Sequence, residues 1–391
     1  MTTLPPANDP SIPPPTQSGE AAAAKPALEQ GVACCLSGGG YRAMLFHVGS
    51  LWRLNEAGLL PSLKCVSSVS GGSITAAVLG VSWPDLHFGD DQVAQGFVSS
   101  VVAPLRAFAR HTIDWLAVVG GGLNPFGTIA ESIAAAYRKH LFGHKTLQDL
   151  PDSPVFVLNA TNVQTSALWR FRKAYMGGYR TGLVHNPTLE LAVAVGASSA
   201  FPPFLSPVHL DLAGQHFEPD KLADLPYPPY TTKVVLSDGG VYDNLGLEPV
   251  FKHYDTVLVS DGGQKIAAEP DPASDWARHA YRILDLVDNQ VRSLRKRLLI
   301  GAYVDQSRKG AYWGIRTNIV NYQLKDALSC PHDKTLQLAA VPTRLEAIPD
   351  DLQERLINWG YAVCDAALRK HYNVGDKIAP PRGFPYPGRG V

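Results

Sequence analysis

The chain has 391 residues, 45% of them hydrophobic and 18% charged, enough apolar material for a large buried core, which excludes a disordered or low-complexity protein. Lys plus Arg and Asp plus Glu each number 35, so the formal net charge is zero. No global field draws the chain to nucleic acid, and any anionic partner must be met by a local patch.

Residues 1–28 are rich in Pro and Ala and lack the basic start and apolar core of a signal peptide, so a flexible tail and a cytoplasmic address are expected. The uncharged runs Val66–Pro84 and Leu191–Leu210 are broken by glycine and proline, and neither reads as a spanning helix. The folded body is expected over 29–378, followed by a Pro/Gly-rich tail over 379–391. Cysteines 34, 35, 65, 330 and 364 form no C-x-x-C pair and read as free core thiols of a reducing compartment.

Gly31–Leu36 is a short apolar run that reads as a buried strand, and it enters Ser37-Gly38-Gly39-Gly40-Tyr41-Arg42 directly. Met44, Val48, Leu51 and Trp52 then recur at helical spacing up to Gly58. Glycines between a strand and a helix N-terminus turn backbone N–H groups toward a concavity that favours negative charge. Gly38-x-Gly40-x-x-Ala43 also satisfies the degenerate dinucleotide fingerprint, but no acid closes the second strand, where Leu60–Lys64 stands instead. A turn without a ligand is the plainer alternative.

Lys64–Val69 reads as a second strand, ending in Ser68-Val69-Ser70-Gly71-Gly72-Ser73 before a helix resumes at Ile74. A nucleophile on a strained strand-to-helix turn needs small neighbours, and this segment supplies them around Ser70. A serine before two glycines is also a common turn or cap. Two such loops on adjacent parallel strands would bring together a nucleophile and oxyanion donors. Lys233–Leu236 is a third strand, ending at Ser237-Asp238-Gly239-Gly240, where Asp238 can act as base; the plainer reading is a turn, with Asp243 or Asn244 capping a helix over Leu245–Tyr254. Ser-Asp-Gly-Gly recurs at 260–263, but only the first copy continues into Val-Tyr-Asp-Asn-Leu-Gly.

In this order, Gly38-Gly39-Gly40-Tyr41-Arg42, Ser68-Val69-Ser70-Gly71-Gly72 and Asp238-Gly239-Gly240 resemble the G-G-G-x-R, G-x-S-x-G and D-G-[GA] motifs of the patatin-like phospholipases. Gly196–Phe204 is similar to the segment which that family places before its aspartate, and the resemblance covers residues 31–265. Ser68 replaces the elbow's first glycine, and Ala43 replaces the glycine that often follows the arginine. The resemblance implies a doubly wound α/β fold with a mainly parallel sheet flanked by helices. It also implies hydrolysis of phospholipid or lysophospholipid acyl esters by a Ser-Asp dyad, without metal or cofactor. Ser70 would be the nucleophile and Asp238 the base, with Gly38, Gly39, Gly40 and Gly71 in the oxyanion hole. Arg42 would brace the loop, or else meet a phosphate.

The alternatives are a soluble carboxylesterase or thioesterase with the same dyad, a nucleotide-binding protein and a non-catalytic lipid-binding scaffold. His253 and His279 follow Asp238 without strand-end signals, and His47 lies on the first helix, so a Ser-Asp-His triad is not expected. No grouping of His, Cys and carboxylate has metal-ligand spacing.

Two segments read as possible lipid contacts. One is the uncharged, glycine-rich Trp115–Leu123. The other is a helix expected from Ser274 to Gly301, with Ala280, Ile283, Val287, Val291, Leu294 and Leu298 on one face and Arg278, Arg282, Arg292 and Lys296 on the other. There the cations would face solvent or an anionic membrane. Residues 266–378 as a whole are expected to form a helical elaboration, in which Leu352, Leu356, Trp359 and Val363 mark one more amphipathic helix.

Overall fold

The computed structural model describes residues 28–113, 129–203, 205–219, 221–372 and 378–391. The elements run β1 (Glu29–Leu36), α1 (Gly40–Glu56), β2 (Leu63–Val69), α2 (Gly71–Ser82), α3 (Ala103–Phe108), α4 (Ile129–Tyr137), β3 (Val155–Asn162), β4 (Ala167–Phe171), β5 (Tyr175–Gly178), β6 (Gly182–His185) and α5 (Leu191–Ser198). They continue with β7 (Val208–Asp211), β8 (Lys233–Asp238), α6 (Gly240–Asp243), α7 (Glu248–Phe251), β9 (Tyr254–Asp261), α8 (Trp276–Val304), β10 (Lys309–Gly314), α9 (His332–Ala339) and α10 (Asp350–Ala367).

One sheet organises the molecule. Its path is β10-β9-β1-β2-β3-β4-β5-β6, with β8 pairing β3 and β7 pairing β8. From β10 to β3 the strands are parallel, whereas every pairing involving β4 to β8 is antiparallel. The sheet is therefore mixed: the parallel half carries the first two glycine loops, and the antiparallel half brings in Asp238.

Successive residues of β1 point to opposite faces. Cys34 and Leu36 join a large core built with α1, α2 and α10, while Ala33 and Cys35 join a smaller one with Leu247, Val250 and Leu299. All five cysteines are buried and unpaired, and burial pushes the Cys34, Cys65 and Cys330 thiols up to about 12.

The helix marked by Leu352, Leu356, Trp359 and Val363 is α10, which packs along α1. The two helices cross where a Cβ on Gly49 or Gly360 would lie 1.9 Å from the carbonyl oxygen of Ile357 or Phe46. Arg53 of α1 and Asp365 of α10 form a buried ion pair at 2.8 Å, shared with Arg369 at 2.9 Å.

The 379–391 segment has no helix or strand, yet it is docked rather than hanging free. Asn358 Nδ2 donates to the carbonyls of Tyr386 (2.9 Å) and Gly390 (2.8 Å), its Oδ1 accepts from Tyr386 N–H at 3.0 Å, and Arg106 covers the Tyr386 ring at 4.8 Å. The expected N-terminal tail, apart from Leu28, and Trp115–Leu123 lie outside the described residues.

Candidate active site

The register of β3 explains how the motifs meet. Asn159 pairs with Val69 of β2 and Arg170 of β4, and the next residue, Ala160, pairs with Asp238 of β8 and Trp169 of β4. Since β4 occupies one edge of β3, β2 and β8 share the other. They approach from opposite directions with their carboxyl ends together. Ser70 follows one end and Asp238 is the other.

Ser70 has φ 54° and ψ −122°, a left-handed conformation that is strained for any residue with a Cβ, and it is the N-cap of α2. That geometry turns the hydroxyl out of the strand-to-helix turn. Ser70 N–H donates to Ser198 Oγ at 3.1 Å, and Ser198 donates to the Asn159 carbonyl at 2.6 Å, so α5 and β3 clamp the elbow from outside. Asn159 Nδ2 donates to Ser67 Oγ and to the Ser68 carbonyl, both at 2.9 Å. Ser68, at the position of the missing glycine, is buried and bonds Ser73 Oγ at 3.0 Å, which in turn meets Ser198 Oγ at 2.8 Å. The extra side chain is thereby absorbed into the hydroxyl chain that supports the turn.

The glycine loop packs onto this elbow. A Cβ on Gly71 would lie 2.2 Å from the Gly40 carbonyl, so only glycine permits the approach. The N–H groups of Gly39, Gly40 and Gly71 have no hydrogen-bond partner among the described residues, whereas Gly38 N–H meets both the carbonyl and Oδ1 of Asn244 at 3.1 Å. Gly38 is thus committed to holding the loop, which corrects its expected place among the oxyanion donors. Arg42 is fully buried, and its Nε donates to Gly262 O at 3.1 Å while Nη1 donates to Val341 O. These contacts tie α1 to Gly262 and Val341, its Nη2 is buried without a hydrogen-bond partner among the described residues, and Arg42 is not part of the wall of the cavity over Ser70 and Asp238.

A cavity of about 350 Å³ opens over the junction, lined by Gly39, Ser70, Phe201, Asp238 and Asn244, with Tyr281, Arg282, Asp285, Asp288 and Asn289 of α8 and Lys265 and Arg344 completing the wall. Asp238 is buried; Oδ1 accepts from Gly240 N–H at 2.7 Å, and Oδ2 has no hydrogen-bond partner among the described residues. Burial pushes its carboxyl up to about 7, against the opposing effects of Gly240 N–H and the Ser70 hydroxyl, and the Asp288 charge adds to the rise. Burial likewise raises Asp288 to about 6, and its Oδ1 is buried without a hydrogen-bond partner among the described residues.

The second Ser-Asp-Gly-Gly is built differently. Asp261 accepts from Gly263 N–H at 3.0 Å and Tyr312 OH at 2.6 Å, and pairs with Arg292 at 3.4 Å. Burial pushes Asp261 up, but Arg292 and Tyr312 outweigh it and hold its carboxyl below the ordinary value. No histidine lines this cavity among the described residues. His47 is buried between Ser260 Oγ (2.8 Å) and the Ser37 carbonyl (2.9 Å), and burial lowers its imidazole to about 4. His253 and His279 are exposed, and the helix expected over Leu245–Tyr254 is only the short α7, because Gly246 takes φ +66°. Asp243 accepts from the N–H groups of Leu245 (3.2 Å) and Glu248 (2.6 Å), as a cap does.

The sequence model of the Patatin-like phospholipase family matches residues 34–251, which contain all three motifs. The chain belongs to that family. This patatin-like chain has no match among curated protein sequences. Among solved structures it is similar to human GIVD cytosolic phospholipase A2, at 15% identity over 86% of this chain and 57% of that chain, with a TM-score of 0.48. A second structure of the same human protein gives 16% identity over 62% and 47%, with a TM-score of 0.39, so the chain spans about half the length of that relative. VipD from Legionella pneumophila matches at 15% identity over 80% and 67%, with a TM-score of 0.29. The family assignment rests on the sequence match. Among the described residues no helix is long and apolar enough to cross a membrane.

Proposed function

We propose that the chain is a serine acylhydrolase that cleaves fatty-acyl esters of phospholipids or lysophospholipids through the Ser70–Asp238 dyad. The observation that carries this reading is the meeting of two strand ends in one cavity, a strained serine at one and a buried carboxylate with a free oxygen at the other. Ser70 Oγ attacks the ester carbonyl carbon while its proton passes to Asp238. The carbonyl oxygen becomes an oxyanion, held by the N–H groups of Gly39, Gly40 and Gly71. Collapse breaks the bond to the leaving oxygen, which takes the proton from Asp238 and departs as an alcohol, leaving Ser70 acylated. Asp238 then takes a proton from water, whose oxygen attacks the acyl carbon; the fatty acid leaves and the proton returns to Ser70. No metal or cofactor enters this sequence.

Fatty-acid release from phosphatidylcholine and lysophosphatidylcholine tests the proposal. Wild type should release fatty acid, and Ser70→Ala and Asp238→Asn should not. Turnover of a soluble short-chain ester or thioester with neither lipid cleaved would favour the carboxylesterase or thioesterase reading instead.

A further inference from the structure

The amphipathic helix read in the sequence exists as α8, but its faces are reversed. Asp275 caps it, with Arg278 N–H at 3.0 Å from Oδ1, and it continues through Gly301 to Val304. Apart from Arg278, which is exposed and pairs with the cap Asp275, and the exposed Arg297, the basic residues have partners on the body. Arg292 binds Asp261, Arg282 pairs with Glu269 at 3.3 Å, Arg295 pairs with Glu248 at 2.9 Å, and Lys296 lies 4.4 Å over the Tyr312 ring. This corrects the expected basic stripe: the cations are mostly spent on internal partners. Only Leu299 and Ala302 of α8 are buried, and nine of the sixteen exposed large hydrophobic side chains among the described residues lie on this one helix.

Trp276, Ala280, Ile283, Val287, Leu294 and Leu298 recur at steps of three, four and seven and form one outward stripe ~33 Å long. Trp276 is 84% exposed, Leu294 57% and Leu298 53%. An apolar surface of this extent is seldom left to water without a partner.

We infer that the outward face of α8 seats on a lipid surface and brings the catalytic cavity to it. The inference rests on the lipid-ester reading and adds where the lipid is met. Two observations favour a membrane over a second copy of the chain. The inner flank of the same helix, through Tyr281, Asp285, Asp288 and Asn289, walls the cavity that holds Ser70, so the stripe is continuous with the route by which an acyl ester reaches the nucleophile. The exposed positions of α8 include no carboxylate but do include Arg297 and Arg278, the latter paired with the exposed cap Asp275 at 2.5 Å, so the outward face carries no net negative charge to repel lipid head groups at the edges of an inserted apolar strip. A tryptophan at the end of the stripe suits the interface between head groups and acyl chains.

The test is flotation of the full chain with phosphatidylcholine vesicles, with and without phosphatidylserine, for wild type, Ser70→Ala and the triple variant Ile283→Gln, Leu294→Gln, Leu298→Gln. Wild type and Ser70→Ala should both bind. The triple variant should lose at least ~30-fold in partitioning and in vesicle hydrolysis, keep its turnover of a soluble short-chain ester, and melt no lower than wild type, since its three changes are at exposed positions. A triple variant that binds vesicles like wild type would overturn the inference. So would a wild type that ignores vesicles but falls from dimer to monomer by light scattering on the triple change. Binding by Ser70→Ala reads the surface independently of the chemistry, so an absence of hydrolysis in every variant would overturn the acylhydrolase reading and leave the surface to be judged by flotation.

Discussion

Ser70 holds a left-handed backbone conformation although it has a Cβ, a state that costs on the order of 1–3 kcal/mol and is retained where the surroundings enforce it. Ser70→Ala keeps that strain and removes only the hydroxyl, so ester hydrolysis should fall more than ~10³-fold with little change in Tm. Ser70→Gly should be equally inactive yet more stable than Ser70→Ala by ~1 kcal/mol, measurable by denaturant unfolding; equal stability would mean the turn carries no strain. Asp238 adds a pH dependence. As the proposed base it must be ionised, and with burial lifting it to about 7, turnover should rise through that pH and then level off. That inflection falls beside the ordinary histidine range at ~6.5, so its position alone does not tell a carboxylate base from an imidazole. Replacing the exposed His253 or His279 should leave the inflection in place, while Asp288→Asn, by removing a neighbouring negative charge, should move it to lower pH. An inflection that stayed put in Asp288→Asn would separate the two carboxylates.

At the scale of elements, the two copies of Ser-Asp-Gly-Gly occupy strand ends with opposite consequences. Asp238 is held above its ordinary value, so the folded state binds its proton more tightly than the unfolded chain does, and stability is lost as pH rises from the ordinary carboxylate range to about 7. Asp238→Asn should therefore be inactive and, at pH 8, more stable than wild type by up to ~4 kcal/mol, with the gain vanishing toward pH 4. Asp261 is held below its ordinary value by Arg292 and Tyr312, so Asp261→Asn should lower Tm at neutral pH while keeping Ser70 reactive. The opposite pattern in thermal melts and turnover would move the base to Asp261.

The elbow, the glycine loop and Asp238 were legible because each is a strand-to-glycine junction whose local chemistry is written in consecutive residues. Their supports were not. Ser198, Asn159 and Asn244 are single polar residues far from one another in the chain, and only the fold shows that they clamp Ser70, β2 and Gly38. The direction of β8 was equally hidden, since a β-branched run reads the same in either sense. An amphipathic pattern, likewise, names two faces of α8 without saying which one turns inward; the buried carboxylate Asp261 decided that by drawing Arg292 in.

Over the whole molecule, the patatin-like motifs end by residue 251, yet the later chain is joined to them. α10 packs along α1, Arg53 pairs with Asp365, and Arg53 Nη2 reaches the Ala379 carbonyl. Proline and glycine in 379–391 suggested a loose tail because composition records the lack of regular structure and not the carbonyls that Asn358 and Arg53 bind. Ending the chain at Ile378 should therefore lower Tm by several degrees, and an unchanged Tm would mean the docking contributes nothing.

The claim on which the rest depends is that Ser70 is a nucleophile activated beside Asp238. Labelling of the native full chain with a fluorophosphonate, followed by peptide mapping, tests it most directly. The account predicts one adduct, on Ser70, abolished in Ser70→Ala, strongly slowed in Asp238→Asn and retained in Ser68→Ala, Ser73→Ala and Asp261→Asn. An adduct on another serine, or labelling indifferent to Asp238, would contradict it.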